Sequence, residues 1–333
     1  MKIHKKRRYA SEKMEVGMAN INEIAKLAGV SVTTVSRVLN NHKYVSDEKR
    51  SAVQKVIAEM DYTPNKNAVD LIRRETRMIG VIIPYNNNQA FDQLLHGVLN
   101  VSIENDYSVT VLPTKYNKDK ELEYLAMLKN KLLDGIIITS RSNEWESIIP
   151  FTNYGPVVCC EYTEHPEIGC SYIDRYASYL EAFQYLKEKG HSRVAITRGR
   201  GMESISTRQT LDAYKDTFGE LPSELHISDC YSVEDGYQAG KQLLNLDARP
   251  TAIYANGDEV AGGIYMYAQS IHLKVPHDIA IMGQENQPIG VGLGLSSVDH
   301  QLIKVGEQAF DLIMSKLKHK IEIPYQIIHR SSI

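Results

Sequence analysis

Val32, Thr33, Thr34, Ser36 and Arg37 crowd into the run SVTTVSRVLNN, which closes on Asn40 and Asn41. Their side chains suit one kind of chemistry, contact with a DNA duplex. Short hydroxyls and methyls can approach base edges, Thr34 and Ser36 can donate to phosphate oxygens, and a guanidinium such as Arg37 can bond a guanine edge through two N–H donors.

Such residues act only if a scaffold holds them outward together. Upstream, Ile21, Ile24, Ala25, Leu27 and Ala28 repeat at helical spacing behind a start cap at Asn20 or Asn22. Gly29 tolerates the left-handed conformation that ends a helix. Ser31 can then cap a second helix whose inward residues are Val35, Val38 and Leu39. The short turn between the two is helix-turn-helix spacing. A third run, SDEKRSAVQKVIAEMDY, begins with a Ser46 cap and places Val53, Val56, Ile57 and Met60 on one face. Three short helices sharing one apolar face predict a minimal bundle.

Charge supports that reading. The formal net charge is −3, but residues 1–77 carry 16 Lys and Arg against 9 Asp and Glu, whereas residues 78–333 carry 22 against 32. A basic head on an acidic body predicts that the head meets a polyanion.

From Met78 onward, apolar strands alternate with amphipathic helices. MIGVII, YSVTVLP, DGIIIT and GPVVCCE read as buried parallel strands, and RVAIT, TAIYAN and DIAIMG repeat the pattern after residue 190. Two sets of βαβ units predict two doubly wound lobes with ligands at the strand C-termini between them.

Other classes fit less well. The chain has no G-x-S-x-G nucleophile elbow and no G-x-x-x-x-G-K-[ST] phosphate loop, so an enzyme is not expected. GVGLGL at 290–295 is glycine-rich but does not open a helix after a strand. Cys159 and Cys160 are adjacent on a strand and point to opposite faces, which disfavours a shared metal; no metal or cofactor is expected. Four oddly placed cysteines fit a reducing cytosol, and no apolar run reaches the ~20 residues of a membrane span.

INEIAKLAGVSVTTVSRVLNN followed by VSDEKRSAVQKVIAEMDYTPNKNAVDL resembles the DNA-binding head of the lactose-repressor (LacI/GalR) family of bacterial transcription regulators. The likeness continues through MIGVIIP, LLDGIII, GHSRVAIT, RPTAIYANGDEVAGG, KVPHDIAIMG and LSSVDHQ, covering residues 18–330 in order. It implies a small all-α helix-turn-helix head (18–61), a hinge helix and linker (62–77), and a two-lobed α/β sensor domain of the periplasmic-binding-protein type (78–333). The chain would cross between lobes three times, with lobe 1 near 78–190 and 300–320 and lobe 2 near 191–297 and 321–333. A transport-type binding protein would explain the body alone, but not the head.

By the same resemblance Val32 and Thr33 are the main base-reading residues, and Arg37 contacts bases or phosphate nearby, with Thr34, Ser36 and Asn40 alongside. Ala68 and Leu71 match groove-facing hinge residues, Leu71 being the apolar wedge that bends the duplex. Val69 and Asp70 depart from the usual Arg and Ser, and Arg73, Arg74 and Arg77 follow as a basic linker. The effector cleft maps onto Phe91, Thr139, Glu161, Asp174, Tyr231, Asp258 and Glu285. An aromatic face with paired acids suits sugar hydroxyls. The chain departs from neutral-sugar relatives at Thr210, Ala213, Gly257 and Arg175, while Arg198, Arg200 and Arg208 crowd one loop. Arg175 and Arg208 therefore join the effector set, and the added positive charge predicts an anionic effector such as a sugar phosphate.

The implied partners are double-stranded, near-palindromic operator DNA, a second copy of the chain and a small effector, with no membrane. Absence of a C-terminal leucine repeat in IPYQIIHRSSI favours a homodimer over a tetramer. One alternative stays open: a catabolite-control type of regulator whose co-repressor is a phosphoprotein, phosphorylated HPr. Residues 1–17 also carry two readings. A GAG codon at Glu15 would place a ribosome-binding core just before Met18, making Met18 the start; otherwise the segment is a disordered basic arm.

Overall fold

The computed structural model describes residues 20–62, 75–85, 88–202 and 204–333, which form two compact units divided between Glu75 and Thr76. The expected leader, Met18 and the hinge residues Ala68, Val69, Asp70 and Leu71 lie outside the described residues.

The first unit holds α1 (Ile21–Leu27), α2 (Val32–Leu39) and α3 (Asp47–Glu59). Asn20 caps α1 in a reciprocal capping box with Glu23, which satisfies otherwise orphaned N–H groups. Gly29 sits at φ +63°, the left-handed turn expected of it. Ile24, Ala25, Val35, Val38, Val53 and Val56 form the buried core, with Leu39, Ile57 and Met60 half-buried around it. Leu27 departs from the expected apolar face. It is 63% exposed, lying off the stripe of Ile21, Ile24, Ala25 and Ala28 that packs at the core.

The second unit is α/β. Its first part runs β1 (Met78–Ile83), α4 (Gln89–Glu104), β2 (Ser108–Pro113), α5 (Lys118–Lys129), β3 (Gly135–Ile138), α6 (Trp145–Ile148), β4 (Val157–Cys159) and β5 (Gly169–Tyr172). There follow α7 (Arg175–Glu188), β6 (Val194–Thr197), α8 (Ile205–Phe218), β7 (His226–Ile227), α9 (Val233–Leu244), β8 (Ala252–Tyr254), α10 (Asp258–Ser270), β9 (Ala280–Gln284), α11 (Pro288–Leu293) and β10 (Ser296–Asp299). The chain ends with α12 (Leu302–Ser315), β11 (Lys320–Glu322) and β12 (Gln326–Ile328). Two six-stranded sheets result, ordered β11-β5-β4-β3-β1-β2 and β12-β10-β9-β8-β6-β7. Every pairing is parallel except β10 with β12.

Alternation along the strands sends side chains to helices on both faces. Ile137 and Val158 pack beneath α4 and α12, while Ile136, Ile138 and Cys159 pack beneath α5. Cys160 falls on the face opposite Cys159. The strand YSVTVLP is less buried than expected, because β2 lies at the sheet edge and only Leu112 is buried within it. Helices α4 and α12 touch through glycine: a Cβ on Gly97 would stand 2.0 Å from the Ile303 carbonyl oxygen, and one on Gly306 2.1 Å from that of Leu94. Gly236 and Gly263 give α9 and α10 the same close approach.

The chain passes between the sheets three times: between β5 and α7, between β10 and α12, and between β11 and β12. Two boundaries move. Helix α7 was expected in lobe 1, but Tyr179, Ala182, Phe183 and Leu186 pack on β6 and β8, so the first crossing comes before Arg175. Strand β11 was split by the expected boundary at 320, but pairs whole with β5, which puts Ile321 and Glu322 in the first lobe.

Candidate functional site

On the head, the Ser31 hydroxyl caps α2 by accepting from the Thr34 N–H at 3.2 Å, and meets the Thr34 hydroxyl at 2.9 Å. Thr34 is therefore half-buried in the cap, with its hydroxyl already engaged, rather than turned outward as expected. Val32, Thr33 and Arg37 are exposed on one face of α2 and Ser36 is half-buried. Asn40 ends the helix, its side-chain amide donating to the Ser36 carbonyl at 2.8 Å.

In the second unit a cavity of about 280 Å³ opens at the strand C-termini of both sheets. The first lobe contributes Tyr85 and Phe91 after β1, Thr139 and Ser140 after β3, and Glu161 and Tyr162 after β4. The second contributes Arg198 and Arg200 after β6, Tyr231 after β7, Asn256 after β8 and Glu285 after β9. Buried Glu121 fixes the loop after β3 by accepting from the Ser142 and Asn143 N–H groups at 2.7 and 2.8 Å.

Two lining residues, Arg175 and Glu285, belong to a buried ionic cluster. Glu285 is 6% exposed and adopts φ +77°; its Oε1 accepts from His300 Nδ1 at 2.9 Å and stands 3.6 Å from Arg175 Nη1. Its Oε2 is buried without a partner. Burial pushes the carboxyl up, but His300 and Arg175 outweigh it and hold Glu285 below the usual range. Burial dominates at His300 and lowers it, so the imidazole is neutral near pH 7 and its other nitrogen meets the Ser178 hydroxyl at 2.9 Å. Arg175 lies at the first crossing and His300 at the second, so the cluster joins the cavity floor to two interlobe strands.

Another part of the lining is cationic. Arg198 Nε donates to His226 Nε2 at 2.8 Å, and its Nη1 donates to the Arg200 carbonyl at 2.7 Å. His226 must then be the neutral acceptor, consistent with burial and the neighbouring guanidinium lowering its pKa. Arg200 reaches across the cleft. Its guanidinium donates to the Tyr116 hydroxyl at 2.9 Å and the Ser206 hydroxyl at 2.6 Å, and lies 6.0 Å from the Phe91 ring centre. Tyr116 donates to Ser140 at 3.3 Å, and Ser140 to Glu161 at 2.8 Å, which completes a relay from one lobe to the other.

The cavity thus brings together Phe91, Thr139, Glu161, Arg175, Tyr231 and Glu285 from the expected set. Thr139 spends its hydroxyl on the Ile82 carbonyl at 3.0 Å. Three expected residues do not line it. Asp174 is exposed and caps α7 through the Ala177 N–H. Arg208 is exposed and donates to the Met202 carbonyl. Asp258 is fully buried below the cleft, accepting from the Gln287 N–H at 2.7 Å and the Ser297 hydroxyl at 2.9 Å. Tyr116, Ser140, Ser206, Asn256 and His300 escaped sequence reasoning; only their places just after apolar strands or beside expected residues marked them. Among the described residues no cluster of His, Cys, Asp or Glu could hold a metal, and no helix is long and apolar enough to cross a membrane.

Comparison with known proteins agrees with this architecture. Residues 20–65 match the family described as bacterial regulatory proteins, lacI family, and residues 76–330 match periplasmic binding proteins and sugar binding domain of LacI family. The chain is 44% identical over 312 residues to catabolite control protein B of Bacillus subtilis (strain 168), covering 92% of this chain and 99% of that one. It is 36% identical to the NTD biosynthesis operon regulator NtdR of the same organism, covering 95% and 100%. The solved lac repressor dimer bound to operator and the anti-inducer ONPF shares its fold at a TM-score of 0.81 and 22% identity, covering 95% and 99%. These relatives are regulators, and the chain belongs to the LacI family of bacterial transcriptional regulators.

Proposed function

We propose that this regulator is a homodimeric, sequence-specific repressor of carbohydrate-metabolism genes that works in the cytoplasm. Its head would read a near-palindromic operator with Val32, Thr33 and Arg37 of α2, and a sugar or sugar phosphate in the interlobe cleft would set its occupancy. Residues 62–77 would serve as hinge and linker, with Ala68 and Leu71 in the minor groove. The observation that carries this reading is one cavity built from both lobes, lined by aromatic rings, hydroxyls and charged groups, in a chain whose helix α2 also leaves Val32, Thr33 and Arg37 exposed. A ligand that touches both lobes favours one lobe arrangement over another, and linkage converts that preference into a change in DNA affinity.

Titration calorimetry of the full chain against neutral sugars and their phosphates tests the small-ligand reading. Its likeness to a catabolite control protein supports a second reading, in which phosphorylated HPr is the co-repressor. Pull-down with phosphorylated and unphosphorylated HPr separates the two. Capture of the phosphorylated form, with no calorimetric heat from any sugar, replaces the first reading with the second.

A further inference from the structure

We propose that the chain holds its own cleft closed. Arg200 with Tyr116, and Gln89 and Gln93 with Glu259 and Glu285, form a clasp between the lobes that is made before any small molecule enters and must break to admit one. The clasp stands on contacts within the chain; its effect on the head rests on the proposed coupling of the lobes to DNA binding.

The first contact joins two anchored ends. Tyr116 is fixed to lobe 1, where the Thr114 and Lys115 N–H groups donate to the Ile83 and Pro84 carbonyls at 2.9 Å each. Its ring packs edge-on against Tyr85, with centres 5.7 Å apart. Arg200 is fixed to lobe 2. Its carbonyl accepts from Arg198 at 2.7 Å and from the Thr207 hydroxyl at 3.1 Å, and its Nη2 donates to the Ser206 hydroxyl at 2.6 Å. The Nη1 donation to the Tyr116 hydroxyl at 2.9 Å therefore ties lobe to lobe. Lys115 and Tyr116 both adopt the left-handed conformation, at φ +52° and +56°. That conformation is costly for residues with a Cβ and persists only where surrounding contacts impose it. Here the strained turn places the Tyr116 hydroxyl where Arg200 reaches it.

The second contact is made by α4. Gln89 and Gln93 lie one turn apart on one helix face. Gln89 Nε2 donates to Glu259 Oε1 in the first turn of α10, and Gln93 Nε2 donates to the Glu285 carbonyl at 3.0 Å. The Glu259 N–H donates in turn to Gln287 Oε1 at 3.2 Å. Glu285 is also pinned through its side chain to His300 and Arg175 at the crossings. Moving the lobes apart breaks bonds at both places together, so the closed arrangement is the resting one. A small molecule then acts by changing the balance of closed and open rather than by drawing the lobes shut.

The test places nitroxide labels at Lys118→Cys and Glu234→Cys, exposed in the first turns of α5 and α9, one on each lobe. The labelled full chain is diluted with unlabelled chain, and the label separation is read by pulsed electron resonance with no small molecule added. Chain with only its native cysteines gives the background. We expect one narrow distribution at the closed separation. Losing a hydrogen bond to a charged group should raise the open-to-closed ratio at least ~10-fold. Tyr116→Phe combined with Gln89→Leu and Gln93→Leu should therefore show a second, longer population, and Arg200→Lys should open less than Arg200→Met. Tyr124→Phe, which removes a hydroxyl bonded to Pro113 within lobe 1, should leave the distribution unchanged. A broad or long distribution in wild type overturns the clasp, and so does a triple variant that keeps the narrow one. Affinity for a duplex selected from random DNA is measured on the same variants. Longer distances with unaltered DNA affinity leave the clasp standing and overturn the coupling of lobes to head.

Discussion

Removing the Glu285 charge tests the buried cluster most sharply. Glu285 and Arg175 stand 3.6 Å apart, with side-chain exposures of 6% and 24%. At an effective dielectric of about 20, their gross attraction is about 5 kcal/mol. Much of it offsets the cost of taking both charges out of water, so the net coupling should be about 1.5–3 kcal/mol. Glu285→Gln keeps the shape but leaves Arg175 facing no counter-charge. Breaking a fully buried pair costs about 3–5 kcal/mol, and the partial exposure of Arg175 reduces this to about 2–3 kcal/mol. Urea unfolding of Glu285→Gln, Arg175→Met and the double variant closes a thermodynamic cycle. The double variant should be more stable than the sum of the two single losses allows, because it removes both charges together. Single variants within 0.5 kcal/mol of wild type, a threshold set by ordinary surface substitutions, would refute the claim that this cluster holds the crossings. Strict additivity would refute it equally.

Other consequences follow from the same geometry. Burial pushes the Asp258 carboxyl up from 3.8 to about 7, against the hydrogen bonds from Ser297 and Gln287. A folded-state pKa above the unfolded one contributes stability that is complete below about pH 4 and lost as pH rises through about 7. Wild type should therefore lose on the order of 4 kcal/mol relative to Asp258→Asn between pH 4 and 8, and parallel denaturation midpoints across that range would contradict it. Gly306→Val should cost more than about 3 kcal/mol by driving α12 from α4, whereas Gly257→Asn meets no atom within 4 Å and should stabilise α10 by a few tenths of a kcal/mol as a new N-cap. Calorimetric melting distinguishes these two. Arg37→Ala should weaken specific DNA binding by about 1–3 kcal/mol while leaving head folding intact, as read by gel shift beside circular dichroism.

Much of this was legible in the residues, and the exceptions have physical causes. Helix starts could be read because capping is local: Asn20 with Glu23, and Ser31 with Thr34, act within one turn. The two sheets could be read because buried parallel strands are nearly continuous apolar runs. Helix α7 was placed in the wrong lobe, since an amphipathic stripe states that a helix packs but not on which sheet. Asp174 and Asp258 matched acidic positions near the cleft, yet an acid at a helix start is equally a cap or a buried anchor, and only three dimensions separate those roles. The relay from Arg200 through Tyr116 and Ser140 to Glu161 was invisible because its members follow four different strands. Local pattern carries no information about which loops converge.

The central claim is that ligand in the cleft governs the DNA affinity of the head. It is tested most directly by selecting binding sites from random duplex DNA with the full chain, then titrating the selected duplex with and without a sugar phosphate found to bind. The account predicts a two-fold symmetric site, an affinity change of at least ~10-fold on adding ligand, and loss of that ligand response in Glu285→Gln. Selection of no symmetric site, or an unaltered ligand response in Glu285→Gln, would contradict it.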